Sequence, residues 1–226
     1  MITRLYVFYR PVTRLLQCVS LATAVLVLPA CNAPEENPEQ ATNPSAHTQD
    51  ISTQANALFE IFFNENVARS PMMQTRLGIK TDYGKWDDIS ETAAQQRQAL
   101  RRSQLQRLLV LDPSQMNAAT ALSYHLQKQQ LEQGIEGYRW RYHNYPVNQM
   151  SGFHTAVPSL LINQHQVSNE ADAIAYILRL KGIPELFNQL IDGLKIRADK
   201  GVIAPSFIFP YVLRDSRNLI TGEPAD

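Results

Sequence analysis

The chain has 226 residues with 21 basic and 21 acidic side chains; three arginines and no acidic residue fall in positions 1–30, leaving 18 basic against 21 acidic beyond them. So near-neutral a body cannot neutralise a phosphate backbone, which argues against nucleic acid as a partner. Cysteine occurs only at Cys18 and Cys31, so the folded part has no thiol for a disulfide, a metal or a nucleophile and must hold together by packing.

Arg4, Arg10 and Arg14 precede an apolar run over 15–28 that suits the core of an export signal and is short for a membrane span. Leu28-Pro29-Ala30-Cys31 then resembles a lipobox. Residues 1–30 are therefore expected to be a lipoprotein signal peptide, with Cys31 the diacylated first residue of the mature chain and its membrane anchor. Asn32, in place of Asp, resembles the second residue of lipoproteins sorted to the outer membrane, so the expected location is the cell envelope, facing the periplasm. Residues 31–50 have three prolines and no large apolar side chain, too little to offset the entropy of ordering, and read as a disordered tether. Residues 51–226 are expected to form one domain.

Leu58, Phe59, Ile61, Phe62 and Phe63 predict a helix over 52–69, interrupted by Pro71. A turn-rich connection with Gly78 and Gly84 follows, then a helix over 90–110 with Leu100, Leu105, Leu108, Leu109 and Leu111 inward and Arg97, Arg101, Arg102 and Arg107 mostly solvated. Asp112-Pro113-Ser114-Gln115 is a helix start, and Met116, Ala119, Leu122, Leu126, Leu131 and Ile135 are its apolar stripe. A helix from Ser168 or Asn169 is expected to bury Ile174, Ile177 and Leu178 and to end at Gly182, with Pro184 opening another that carries Phe187, Leu190, Ile191 and Leu194 as far as Gly201. A last helix is predicted over 205–219. Five or six amphipathic helices with short connections make an all-α, bundle-like domain.

Tyr138, Trp140 and Tyr142 alternate with Arg139, Arg141 and His143, which predicts an extended segment; its interleaved rings and arginines suit a ligand surface that stacks on sugar rings or bases, but packing of the rings on the bundle is the favoured reading. Residues 146–161 read as a polar loop, the kind of segment that carries function. No His-Glu-x-x-His pair, Gly-x-Ser-x-Gly elbow or phosphate loop is present, and the five histidines are isolated, so no catalytic residue and no metal ligand is assigned.

Ser70-Pro71 with Leu77-Gly78-Ile79, the Trp86-Asp87-Asp88 turn, Asn148-Gln149-Met150-Ser151-Gly152 with Pro158-Ser159-Leu160-Leu161, and Lys200-Gly201-Val202-Ile203-Ala204-Pro205 together resemble a known pattern. Over 58–219 the chain resembles the N-terminal part of the bacterial family called domain of unknown function 885. That resemblance implies a helical protein similar to zinc metallopeptidases, in which a His-Glu-x-x-His helix and a further acidic residue hold zinc in the C-terminal part. This chain ends at Asp226, before those motifs, so the zinc implied for the family is assigned no ligand here. Two readings remain. One is the N-terminal portion of a lipid-anchored metallopeptidase-like protein, with Asn148, Gln149, Met150, Gly152 and His154 lining a cleft for a peptide substrate. In it, the apolar run Phe207, Ile208, Phe209, Tyr211, Val212 and Leu213 would pack against a missing C-terminal region. The other is a stand-alone helical lipoprotein that binds an envelope partner or ligand without catalysis.

Overall fold

The computed structural model describes residues 44–221, with side chains from Asp50 onward. The signal peptide, Cys31 and the tether as far as residue 43 lie outside the described residues. Among the described residues there are seven α-helices: α1 Pro44–Val67, α2 Pro71–Arg76, α3 Glu91–Leu108, α4 Ala118–Gly137, α5 Phe153–Asn163, α6 Glu170–Asp199 and α7 Phe209–Thr221. Single 3-10 turns at Pro113–Gln115, Tyr138–Trp140 and Ser206–Ile208 stand before α4, after α4 and before α7. Among the described residues there is no strand, only one antiparallel bridge between Val147 and Gly152, so the fold is all-α. No described helix is long and apolar enough to cross a membrane. The first helix begins at Pro44, inside the stretch read as tether.

Side-chain caps explain most of the helix starts. Ser70, Ser90, Asn117 and Asn169 each accept the backbone N–H three residues on, at 2.9–3.2 Å. Asp112 also accepts from Ser114 N–H at 2.9 Å, and Gln115 reaches back to it at 3.1 Å. That motif opens a single 3-10 turn and not the predicted helix, because Met116 turns extended (ψ 156°) and Asn117 caps α4 instead. Pro71, expected as an interruption, is the first residue of α2.

Two apolar clusters form the interior. Ala55 and Phe62 of α1, Leu108 of α3, and Tyr124 and Leu131 of α4 meet with Met116 in the first. Leu109, Leu122 and Leu126, predicted inward, are exposed. On α3 the inner seam runs through Gln98, Gln104 and Leu108, and Leu109 stands about 100° around the helix from it. Polar side chains occupy inner positions because they find partners there: Gln98 donates to Ile135 C=O at 2.9 Å and Gln104 to Glu65 at 3.0 Å.

The second cluster joins Val157 and Leu161 of α5 to Leu186 of α6, with Trp86, Ile89, Phe153, Tyr176, Ile183 and Phe187 against it. Here four expectations are corrected. α6 is one helix of 30 residues that runs through Gly182 and Pro184. Gly182 serves close packing and not termination, since a Cβ there would lie 3.0 Å from Trp86 Cδ1. Ile174, Ile177, Leu178 and Ile191 are exposed, and Asp172, Arg179, Leu186 and Leu190 face inward. Residues 153–161 of the predicted loop are helical, in α5, whose start follows Gly152 at φ +155°; a Cβ there would stand 2.9 Å from Pro146 O. Of the apolar run near α7, Ile208 is buried and Phe207, Phe209, Tyr211 and Leu213 are exposed.

Candidate ligand cleft

The segment over 138–145 is turned and not extended, and the reason is a shared carboxylate. Glu91, in the first turn of α3, accepts Arg141 Nε at 3.1 Å and Nη2 at 2.9 Å, Tyr142 OH at 2.6 Å and Tyr138 OH at 3.1 Å. Tyr138, Arg141 and Tyr142 stand at helical spacing, so they converge on one side of the turn; a strand would send Arg141 to the opposite face from the tyrosines. The guanidinium lies 4.2 Å from the Tyr138 ring centre and 4.7 Å from that of Tyr142. The bidentate Arg141 contact, helped by the hydroxyls, outweighs burial and pulls the Glu91 carboxyl down to about 2. Burial, reinforced by the bond to Glu91, raises both phenols above their ordinary value.

This cluster walls a cleft of about 390 Å³ between the start of α3, the 138–145 turn and the C-terminal half of α6. Glu91, Arg97, Arg141, Tyr142, Gln189 and Arg197 supply most of its polar lining. Arg197 anchors the turn to α6 by donating to Asn144 Oδ1 at 2.7 Å, Arg141 C=O at 3.1 Å and Gly193 C=O at 2.8 Å. Burial holds its pKa below the usual arginine value.

A second polar node lies behind the cluster of Trp86. Arg179 is fully buried and donates Nε to Lys85 C=O at 3.1 Å, Nη2 to Thr75 Oγ1 at 2.6 Å and Nη2 to Pro71 C=O at 3.3 Å. Its Nη1 stands 3.1 Å from His165 Nδ1. An arginine only donates, so Nδ1 accepts, and Nε2 carries the proton that bonds Asp172 C=O at 3.1 Å. His165 is thus a neutral imidazole, its pKa lowered chiefly by burial. Asp172 accepts Lys80 Nζ at 2.8 Å, which lowers its pKa. Nothing in a lone Arg on a helix or an isolated His announced this node; the cue was an arginine at seven-residue spacing from Asp172 and Leu186 on one helix face.

The loop residues expected to line a cleft stand elsewhere. Asn148 Oδ1 accepts the backbone N–H of Met150 and of Ser151, at 2.9 and 3.0 Å, closing a turn from which Gln149 and Met150 project exposed. Gly152 precedes α5, and His154 is buried with no hydrogen-bond partner on either ring nitrogen. Burial lowers its pKa, and the charge of Asp215 on α7 opposes that. None of the five lines the cleft at Glu91. No three His, Cys, Asp or Glu side chains converge as a metal site among the described residues, so the residues present do not fit the zinc that the family resemblance implies.

A family model described as "Bacterial protein of unknown function (DUF885)" matches residues 71–226, from the start of α2 across the whole cleft. No curated protein and no solved structure matches the chain.

Proposed function

The chain belongs to the bacterial family DUF885, and we propose that it is an exported, lipid-anchored protein of the cell envelope whose helical region, 51–226, binds a peptide in the cleft beside Glu91. The export signal and Cys31 support the location, and the polar stretch after Cys31 gives the domain reach from the membrane. The observation that carries the binding reading is the Glu91, Arg141 and Tyr142 cluster. It fixes one wall of an open cleft by charge-assisted bonds that need no ligand to hold their geometry. Zinc-dependent cleavage, the activity that the family resemblance suggests, has no ligand set among the described residues and enters no step here. In this reading the helices hold and orient a chain; they do not cut it.

Two measurements test the proposal. Cys31→Ser is expected to move the protein from the membrane fraction to the soluble one; unchanged detergent partitioning would refute the anchor. Titration with a mixed tripeptide library, followed by hydrogen exchange, is expected to slow exchange in the 138–145 turn. No protection there at millimolar peptide would refute the cleft.

A further inference from the structure

Three guanidinium groups and two carboxylates line the cleft: Arg97, Arg141 and Arg197 against Glu91 and Asp192. Their partners divide them. Arg141 is neutralised by Glu91 at 2.9 Å, and Asp192 by Lys195 at 3.1 Å on the exposed rim. Arg97 and Arg197 form no ion pair among the described residues. Arg197 bonds only carbonyl oxygens, those of the backbone and of the Asn144 amide, and no carboxylate offsets the burial that lowers its pKa. Arg97 donates Nη1 to Asp88 C=O at 2.8 Å, and its Nε and Nη2 have no acceptor among the described residues. A half-buried cation without a counter-charge is unfavourable in isolation, and two in one cleft repel each other, so an anion entering between them relieves both.

The geometry points to a free carboxylate, the C-terminus of a peptide, bonded in the cleft by the unpartnered Nε and Nη2 of Arg97 and drawn there also by the charge of Arg197. This inference rests on the peptide-binding reading above and specifies which end of the peptide enters. Charge calls for an anion: with Glu91 paired to Arg141 and Asp192 to Lys195, Arg97 and Arg197 remain uncompensated, and the apolar wall beside them, which inorganic phosphate would leave unused, selects an organic carboxylate. Ile89, Ala94 and Ile196 supply apolar wall for the aliphatic part of the terminal residue. The cleft, about 390 Å³, is at the small end of the range for such sites, about 300–1,000 Å³, and suits a chain end more than a chain passing through.

Calorimetric titration of the mature chain, residues 31–226, with N-acetyl-trialanine as free acid and as C-terminal amide tests the assignment. The free acid is expected to bind about tenfold more tightly, the worth of one charge-assisted bond in a partly exposed site. Arg97→Gln is expected to remove that preference while leaving the helical circular dichroism unchanged. Equal binding of acid and amide by the unaltered chain would overturn the carboxylate while leaving peptide binding intact. Binding of neither peptide would overturn the peptide reading itself. Inorganic phosphate displacing the free acid at equal concentration would overturn the choice of a carboxylate over a phosphate.

Discussion

Replacing Arg179 by methionine removes the donor on which three separate stretches of chain converge. In its absence Lys85 C=O, Pro71 C=O, Thr75 Oγ1 and His165 Nδ1 all lose a bond now made at 2.6–3.3 Å. Lys85 C=O and His165 Nδ1 are then left without a donor, while the Thr75 hydroxyl still bonds Pro71 C=O at 3.0 Å; each orphaned acceptor costs about 1–3 kcal/mol, and the favourable return from no longer desolvating a guanidinium offsets part of the sum. A net loss of about 3 kcal/mol is expected, which for a domain of this size lowers Tm by about 6–12 °C. Urea unfolding at 25 °C followed by circular dichroism measures the loss. Fluorescence adds a local probe, because Arg179 lies over the Trp86 ring at 5.4 Å. The node also predicts a pH dependence of known sign. His165 has a lowered pKa in the folded state, so the unfolded chain binds the proton more readily and stability falls as pH drops below about 6.5. Protonation at Nδ1 would also set a cation against Arg179, so the Arg179→Met protein is expected to lose less stability than the parent on acidification. A loss below about 1 kcal/mol at neutral pH, or identical acid sensitivity in the two proteins, would refute the reasoning.

Glu91→Gln keeps the shape of the cleft wall and removes its charge, with an expected loss of about 2 kcal/mol at neutral pH in urea unfolding. Because the Glu91 carboxyl is pulled from 4.5 down to about 2, its contribution is complete above pH 4.5 and fades toward pH 2; stability curves of parent and variant are expected to converge across that window. Parallel curves would mean that the carboxylate is not the hub. Gly182→Val is expected to destabilise by about 1–3 kcal/mol by driving a side chain into Trp86, whereas Gly137→Ala, with open space around it and ordinary φ, is expected to stabilise by about 0.5–1 kcal/mol. Thermal melts of the two variants check the contrast, and equal shifts would show that backbone freedom and not packing decides at Gly182. Phe209, Leu213 and Ile220 share one exposed stripe of α7, so the purified chain is expected to bind a hydrophobic dye and Leu213→Ser to weaken that binding; unchanged fluorescence would place the apolar surface elsewhere.

Local chemistry made the all-α class, the cap at Asn169 and the breaks around Gly78 readable from the chain alone, because caps and turns are decided within a few residues. Apolar periodicity placed Phe62, Leu108, Leu131 and Leu190 inside for the same reason. It failed at Ile174, Ile177 and Leu178, since it assigns the inner face to the most apolar stripe. α6 instead turns Asp172 and Arg179 inward, where partners from α2, the 80–85 turn and His165 satisfy them. The cleft was illegible in kind. Glu91 and Arg141 are 50 residues apart, and although the rings around Arg141 offered a ligand surface as one reading, nothing in sequence pairs them with Glu91. Alternating rings and arginines over 138–143 suggested a strand because period two is visible in the chain, while the carboxylate that folds the segment into a turn comes from another helix. Sequence by itself determined the all-α class and most helix starts, because hydrogen bonds and caps act within one turn, but not α5 or the run of α6 through Gly182 and Pro184. Only the tertiary structure decided which face each helix buries and which charges meet, because burial of a polar group is favourable or ruinous according to partners that distant segments supply.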